Sequence, residues 1–199
     1  MKISSSLKKI IVSNARLKLI NIFYSNINDI FFVRQLVRLT GEEINSIRRE
    51  LDNLKNANLI LPEARGNRLY YGVNPEHPLT LDLINLALKS TRLAYSIRKN
   101  KLKIGNIDVL FYSYEYATKK QTLDIDQIDI LIIGKIKSVK ELDILIKNEE
   151  KIIGREINYM IMDEKEYKLR RQKRDSFLID FLLKSPLIIF GNIIALNNL

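Results

Sequence analysis

Apolar residues recur at helical spacing through residues 13–24, where Ala15, Leu19, Ile22 and Phe23 define one stripe. Turn chemistry in Ser25-Asn26-Ile27-Asn28-Asp29 ends that segment. A second short helix is expected to follow, with Phe32, Leu36, Val37 and Leu39 as its apolar positions and Thr40-Gly41 as its stop. The clearest period lies in residues 42–56, where Ile44, Ile47, Leu51 and Leu54 step by three, four and three. Asn45, Ser46, Arg48, Arg49 and Lys55 occupy its polar face. Beyond it, Leu59-Ile60-Leu61 and Leu69-Tyr70-Tyr71-Gly72-Val73 flank the turn Arg65-Gly66-Asn67-Arg68, which predicts a β-hairpin. Asn74-Pro75-Glu76-His77-Pro78 breaks the pattern, and residues 80–100 read as one long helix carrying Leu83, Ala87, Leu93, Ala94 and Ile97.

The second half has a different texture. Strands are expected at residues 106–112, at 128–133 (stopping at Gly134), at 156–162 and at 186–190. Helices are expected at 138–153, 164–174 and 176–184. Strands alternating with helices predict a sheet domain, so the whole chain is expected to be α+β. Its parts are a helix-and-hairpin module at residues 1–78, a linker or dimerisation helix at 79–103 and a sheet domain at 104–199. The 79–103 helix has two readings from its stripe alone: pairing with a second copy, or packing on its own chain.

Charge sharpens the first half. The 199 residues carry a net charge of +10. Residues 1–100 hold 16 basic against 8 acidic side chains, so most of the excess is N-terminal. Helix, helix, turn, helix and basic-tipped hairpin is the order of a winged helix-turn-helix, whose third helix enters the major groove while the hairpin touches the adjacent backbone. The expected DNA contacts are Thr40, Asn45, Ser46, Arg48 and Arg49 around that helix, and Arg65, Asn67 and Arg68 at the hairpin. The basic run Lys165 to Arg174 is interleaved with acidic neighbours and reads as a solvated, self-neutralised helix.

Other chemistry is narrowed by composition. With no cysteine, disulfides, thiol catalysis and cysteine zinc sites are excluded, and one histidine leaves little for triads. His77 sits in the exit turn, where a structural role is expected. Without an apolar run of membrane length or an export signal, a cytoplasmic protein with no membrane partner is expected.

One constellation remains in the second half. Strand 106–112 ends Tyr112-Ser113, and the next begins Gln127-Ile128-Asp129 before the run Ile130-Leu131-Ile132-Ile133-Gly134. Asn158 lies on the third strand. In these features residues 104–191 resemble the minimal nucleotidyltransferase fold that follows a winged helix in prokaryotic regulators. The first half resembles the same family in Ile47-Arg48-Arg49-Glu50-Leu51, in Asn58-Leu59-Ile60 with a left-handed asparagine, and in Gly66-Asn67-Arg68-Leu69-Tyr70-Tyr71. The family's strand ends in Gly-Ser, its second strand opens Asp-x-Asp, and a third carboxylate follows. The carboxylates hold two metal ions and the turn holds a triphosphate.

Here Tyr112 replaces the glycine, Gln127 the first aspartate and Asn158 the third carboxylate, which leaves Ser113 and Asp129. One carboxylate cannot balance two divalent cations. Asp124-Ile125-Asp126 offers a second register, and Asp129 with Asp126 is the most that a metal would find. The resemblance therefore implies a transcriptional regulator that binds double-stranded DNA as a homodimer, with a catalytically inactive second domain used for sensing or oligomerisation. No cofactor is expected. The alternatives are an active nucleotidyltransferase using Mg2+ and a nucleoside triphosphate, or a partner protein of a toxin–antitoxin pair.

Overall fold

A computed structural model describes residues 11–90, 92–119 and 127–192. Asp124 and Asp126 lie outside the described residues. The described chain is a mixed α+β protein with ten helices and two sheets, and it divides into two compact units between Ala87 and Leu88.

The first unit begins with α1 (Asn14–Tyr24), capped by Ser13, whose side chain accepts from the Arg16 amide. The strand β1 (Phe31–Phe32) follows, then α2 (Val33–Thr40) and α3 (Ile44–Asn56). A hairpin of β2 (Ile60–Arg65) and β3 (Arg68–Val73) comes next, and α4 (Thr80–Leu88) ends the run. The strands form one antiparallel sheet in the order β1-β3-β2. Its core joins Leu17, Leu19, Phe23, Leu36, Ile47, Leu51, Ile60 and Tyr71, all buried, with Phe23 set edge-on to Phe31.

Phe32 was expected on a helix; it is in a strand instead. Two consecutive aromatic residues favour an extended edge, where Phe31 points to the core and Phe32 pairs with Tyr70 across the sheet. Leu39, expected in the apolar stripe of α2, is exposed. Asn58 takes the left-handed conformation the sequence calls for (φ 56°), and Gly41 ends α2 likewise (φ 67°).

The long helix expected over residues 80–100 is broken. Helix α4 stops at Leu88, and α5 (Arg92–Lys99) and α6 (Lys101–Ile104) follow. Lys89 and Ser90 form a turn. The apolar stripe serves two cores, with Ile84 and Ala87 buried before the division and Leu93, Ala94 and Ile97 buried after it. Serine is also a weak helix former in an interior position. A continuous 79–103 dimerisation helix is therefore not what the chain forms.

The second unit continues with β4 (Gly105–Tyr112), the short α7 (Tyr114–Thr118), β5 (Ile130–Ile136) and α8 (Val139–Ile153). Then come β6 (Tyr159–Met162), α9 (Glu164–Gln172), α10 (Ser176–Leu183) and β7 (Leu187–Gly191). The sheet order is β6-β5-β4-β7, with β5 and β6 parallel and the other pairs antiparallel. Val109, Phe111, Leu131 and Ile133 pack on one face with Met162, Tyr167, Leu178 and Phe181. The alternate residues Leu110, Ile130 and Ile132 are equally buried, so both faces are covered.

Strand β5 starts at Ile130 rather than at residue 128, and two strand limits differ by three residues from expectation. Strand β5 does not stop at Gly134 but runs to Ile136, with Gly134 paired to Ile107 beside a bulge in β4. Strand β6 starts at Tyr159 rather than at residue 156. The amide of Ile157 is bound by the Glu150 carboxylate (2.8 Å) and that of Asn158 by Asp129 (3.1 Å), so side chains take the place of the ladder there.

Candidate functional site

The middle of α3 and the turn before it are tied to α1 by half-buried ion pairs. Arg16 Nε donates to Glu50 Oε2 at 2.8 Å, and Asn53 donates to the same oxygen at 3.2 Å. Lys18 Nζ reaches both Glu42 (2.7 Å) and the carbonyl of Thr40 (2.7 Å), tying α1 to the turn between α2 and α3. Burial alone would raise the Glu50 pKa, but hydrogen bonds from Ser13, Arg16 and Asn53 outweigh it and hold the carboxyl below its ordinary range. A carboxyl with a lowered folded pKa stabilises the fold above about pH 4.3 and loses that contribution as the pH falls through the lowered value. Glu50→Gln is therefore expected to flatten the acid limb of stability, read from urea midpoints between neutral pH and pH 3.

These pairs also sort the cations. In the described part of the first unit Arg16, Lys18, Lys55 and Arg65 each pair with a carboxylate. Arg34, Arg38, Arg48, Arg49 and Arg68 have no carboxylate partner among the described residues and are exposed. They come from α2, from α3 and from the hairpin.

Thr40 is buried, its hydroxyl donating to the Leu36 carbonyl (2.7 Å) and accepting from the Glu42 amide (3.2 Å), which makes it part of the turn. Asn45 is exposed and Ser46 half-buried on the first turn of α3. Arg48 follows Ile44 by four residues and lies on the same side of the helix. Arg65 and Arg68 face each other across the hairpin end, with Gly66 and Asn67 as the loop. Arg65 is engaged with Glu63 at 2.7 Å.

The structure adds two arginines that periodicity did not single out. A groove of about 560 Å³ is lined by Phe32, Arg34, Val37, Arg38, Ile44 and Arg68. Its walls come from three separate stretches of chain, so only folding brings the three arginines together. The sequence signal was their spacing on α2, four residues apart, which puts both on one side of that helix.

In the second unit the expected quartet does converge. Ser113, Gln127, Asp129 and Asn158 meet at the end of the sheet where Tyr112, Ile130 and Tyr159 lie in register. The Ser113 amide donates to the Asp129 carbonyl (2.8 Å), and the Asn158 side chain donates to the Gln127 carbonyl (3.2 Å). Ser113 Oγ caps α7 by accepting from the Tyr116 amide at 3.1 Å.

What sequence reasoning missed is Arg155. Its guanidinium grips both oxygens of Asp129, at 2.9 and 3.0 Å, and donates to the Glu156 carbonyl at 3.0 Å. It also lies 5.2 Å from the centre of the Tyr116 ring. The Asp129 side chain is 10% exposed and that of Arg155 48%. Burial raises the Tyr116 pKa, helped by Glu149 and Asp129 and opposed by Arg155, so its phenol stays neutral.

The described residues at this end therefore do not fit a two-metal centre. Asp129 already has a fixed cation on both oxygens and a backbone amide on one, while Gln127 and Asn158 add no charge. A metal ion at Asp129 would have to displace a bidentate guanidinium.

In the basic run Lys165 to Arg174, two of the cations pair with acidic neighbours on the same helix. Lys168 meets Glu164 at 2.7 Å and Arg170 meets Glu166 at 2.7 Å, one helical turn apart. His77 accepts from the Leu79 amide through Nδ1 at 3.1 Å, inside the exit turn.

No family model, curated protein or solved structure matches the chain.

Proposed function

We propose that the protein is a DNA-binding transcriptional regulator whose first unit is a winged helix-turn-helix and whose second is a nucleotidyltransferase-like domain without catalytic chemistry. The observation that carries this reading is the set of five exposed arginines without carboxylate partners, spread over α2, α3 and the hairpin. The other four described cations of the first unit each pair with a carboxylate, and a surface that leaves five guanidinium groups unmatched suits a polyanion. The groove sets three of them around an apolar floor beside the N-terminal end of α3. Phosphate contacts would supply most of the affinity, and Asn45, Ser46, Arg48 and Arg49 would read base edges from the first turns of α3.

For the second unit, the meeting of Ser113, Gln127, Asp129 and Asn158 at one sheet end supports kinship of fold with the transferases. The Arg155–Asp129 pair supports loss of the chemistry. Its role is then to sense a ligand or to join subunits.

The test is binding of labelled duplex DNA to the full chain across a salt series. Engagement of four or five phosphates gives a log–log slope of about −4. A flat salt response, or no binding at low ionic strength, would remove the proposal. Incubation with labelled nucleoside triphosphates and Mg2+ tests the second unit. Label transfer lost on Asp129→Ala would show that catalysis survives.

A further inference from the structure

The Arg68 guanidinium lies over the Phe32 ring, 5.1 Å from its centre, and the Phe32 ring meets Tyr70 edge-on at 5.7 Å. Phe32 and Tyr70 are opposite each other in the β1–β3 register, and Arg68 lies two residues from Tyr70 on the same face of β3. The nearest hairpin carboxylate, Glu63, is opposite Tyr70 but is taken by Arg65. Arg68 is thus held by an aromatic face and not by a counter-charge. That distinction matters for function. A salt bridge would cancel the charge, whereas stacking restrains a long side chain and leaves its charge and outward N–H groups available.

We infer that Phe32 is a positioning residue that fixes Arg68, which with Arg34 and Arg38 then lines the groove as a three-arginine clamp for a phosphate of the DNA backbone. This rests on the DNA-binding reading above. The apolar floor of Phe32, Val37 and Ile44 lowers the local dielectric around the three cations and strengthens their attraction for an anion. Three cations this close repel one another when empty, and the ring face offsets part of that cost at Arg68. An unrestrained arginine would lose side-chain freedom on binding; here part of that loss is met in the free protein.

The experiment is a double-mutant cycle on the full chain, read as affinity for one labelled duplex at low salt. Phe32→Leu keeps an apolar side chain and every charge but removes the ring face. It is expected to weaken binding about 2- to 5-fold. Arg68→Ala is expected to weaken it about 5- to 10-fold and to reduce the salt slope by about one. The double variant should bind no worse than Arg68→Ala alone, because Phe32 acts only through Arg68. Arg68→Lys, a surface change that keeps the charge and loses the planar stack, should match Phe32→Leu, and Phe32→Tyr should restore wild-type binding.

Losses that add in the double variant would overturn the positioning role, as would full affinity in both Phe32→Leu and Arg68→Lys. Absence of duplex binding by the wild type would defeat the underlying reading instead, so the two failures are distinguishable. If Phe32→Leu does not fold, the Arg68→Lys comparison decides alone.

Discussion

Alanine at Gly134 is expected to lower the unfolding free energy by about 3 kcal/mol or more. The backbone there has φ 154°, a region that side-chain-bearing residues rarely adopt. A β-carbon would run into the Asn106 carbonyl oxygen and come within 2.8 Å of the Ile107 α-carbon. Those atoms belong to β4, which is hydrogen-bonded to β5 on one side and β7 on the other, so neither strand can yield cheaply. Gly154 is the comparison. It also has positive φ (73°), at the end of α8, but a β-carbon there meets nothing within 4 Å. Gly154→Ala should cost only about 1 kcal/mol, from the left-handed conformation alone. Urea unfolding followed by far-UV circular dichroism measures both, and equal losses would refute the close-approach account.

Replacing Arg48 and Arg49 together by alanine should weaken binding of the cognate duplex by about 50-fold or more at low salt. Each base- or phosphate-bound arginine contributes on the order of 1–3 kcal/mol. Both side chains are exposed and without carboxylate partners among the described residues, so their removal breaks no internal ion pair and thermal stability should be unchanged. Lys165→Ala supplies the control, because it removes an equal kind of charge from α9, outside the first unit. Comparable losses from the control and the double variant would mean that α3 is not the reading helix. Loss for every sequence alike, with a shallower salt slope, would assign the two arginines to phosphates; a loss confined to the cognate site would assign them to bases.

Local signals carried much of the secondary structure. The three-four-three spacing of Ile44, Ile47, Leu51 and Leu54 places α3, because a helix with one buried face must repeat near 3.6 residues. Ser13, Ser138 and the αL residues Gly41 and Asn58 mark helix ends because capping is chemistry between near neighbours. Two misplacements share one cause: Phe32 joined a strand and β5 ran past Gly134 because a distant segment supplied the partner.

Sequence by itself determined that the chain is α+β and that its basic excess lies in the first half. These follow from periodicity and residue chemistry, which need no neighbours. Tertiary structure alone decided which cations are free. Arg65 is paired off by Glu63, Arg34 and Arg38 are gathered with Arg68 by the sheet, and Asp129 is claimed by Arg155 from 26 positions away. Whether a charge is available depends on what folding sets within about 4 Å of it, and sequence separation says nothing about that distance.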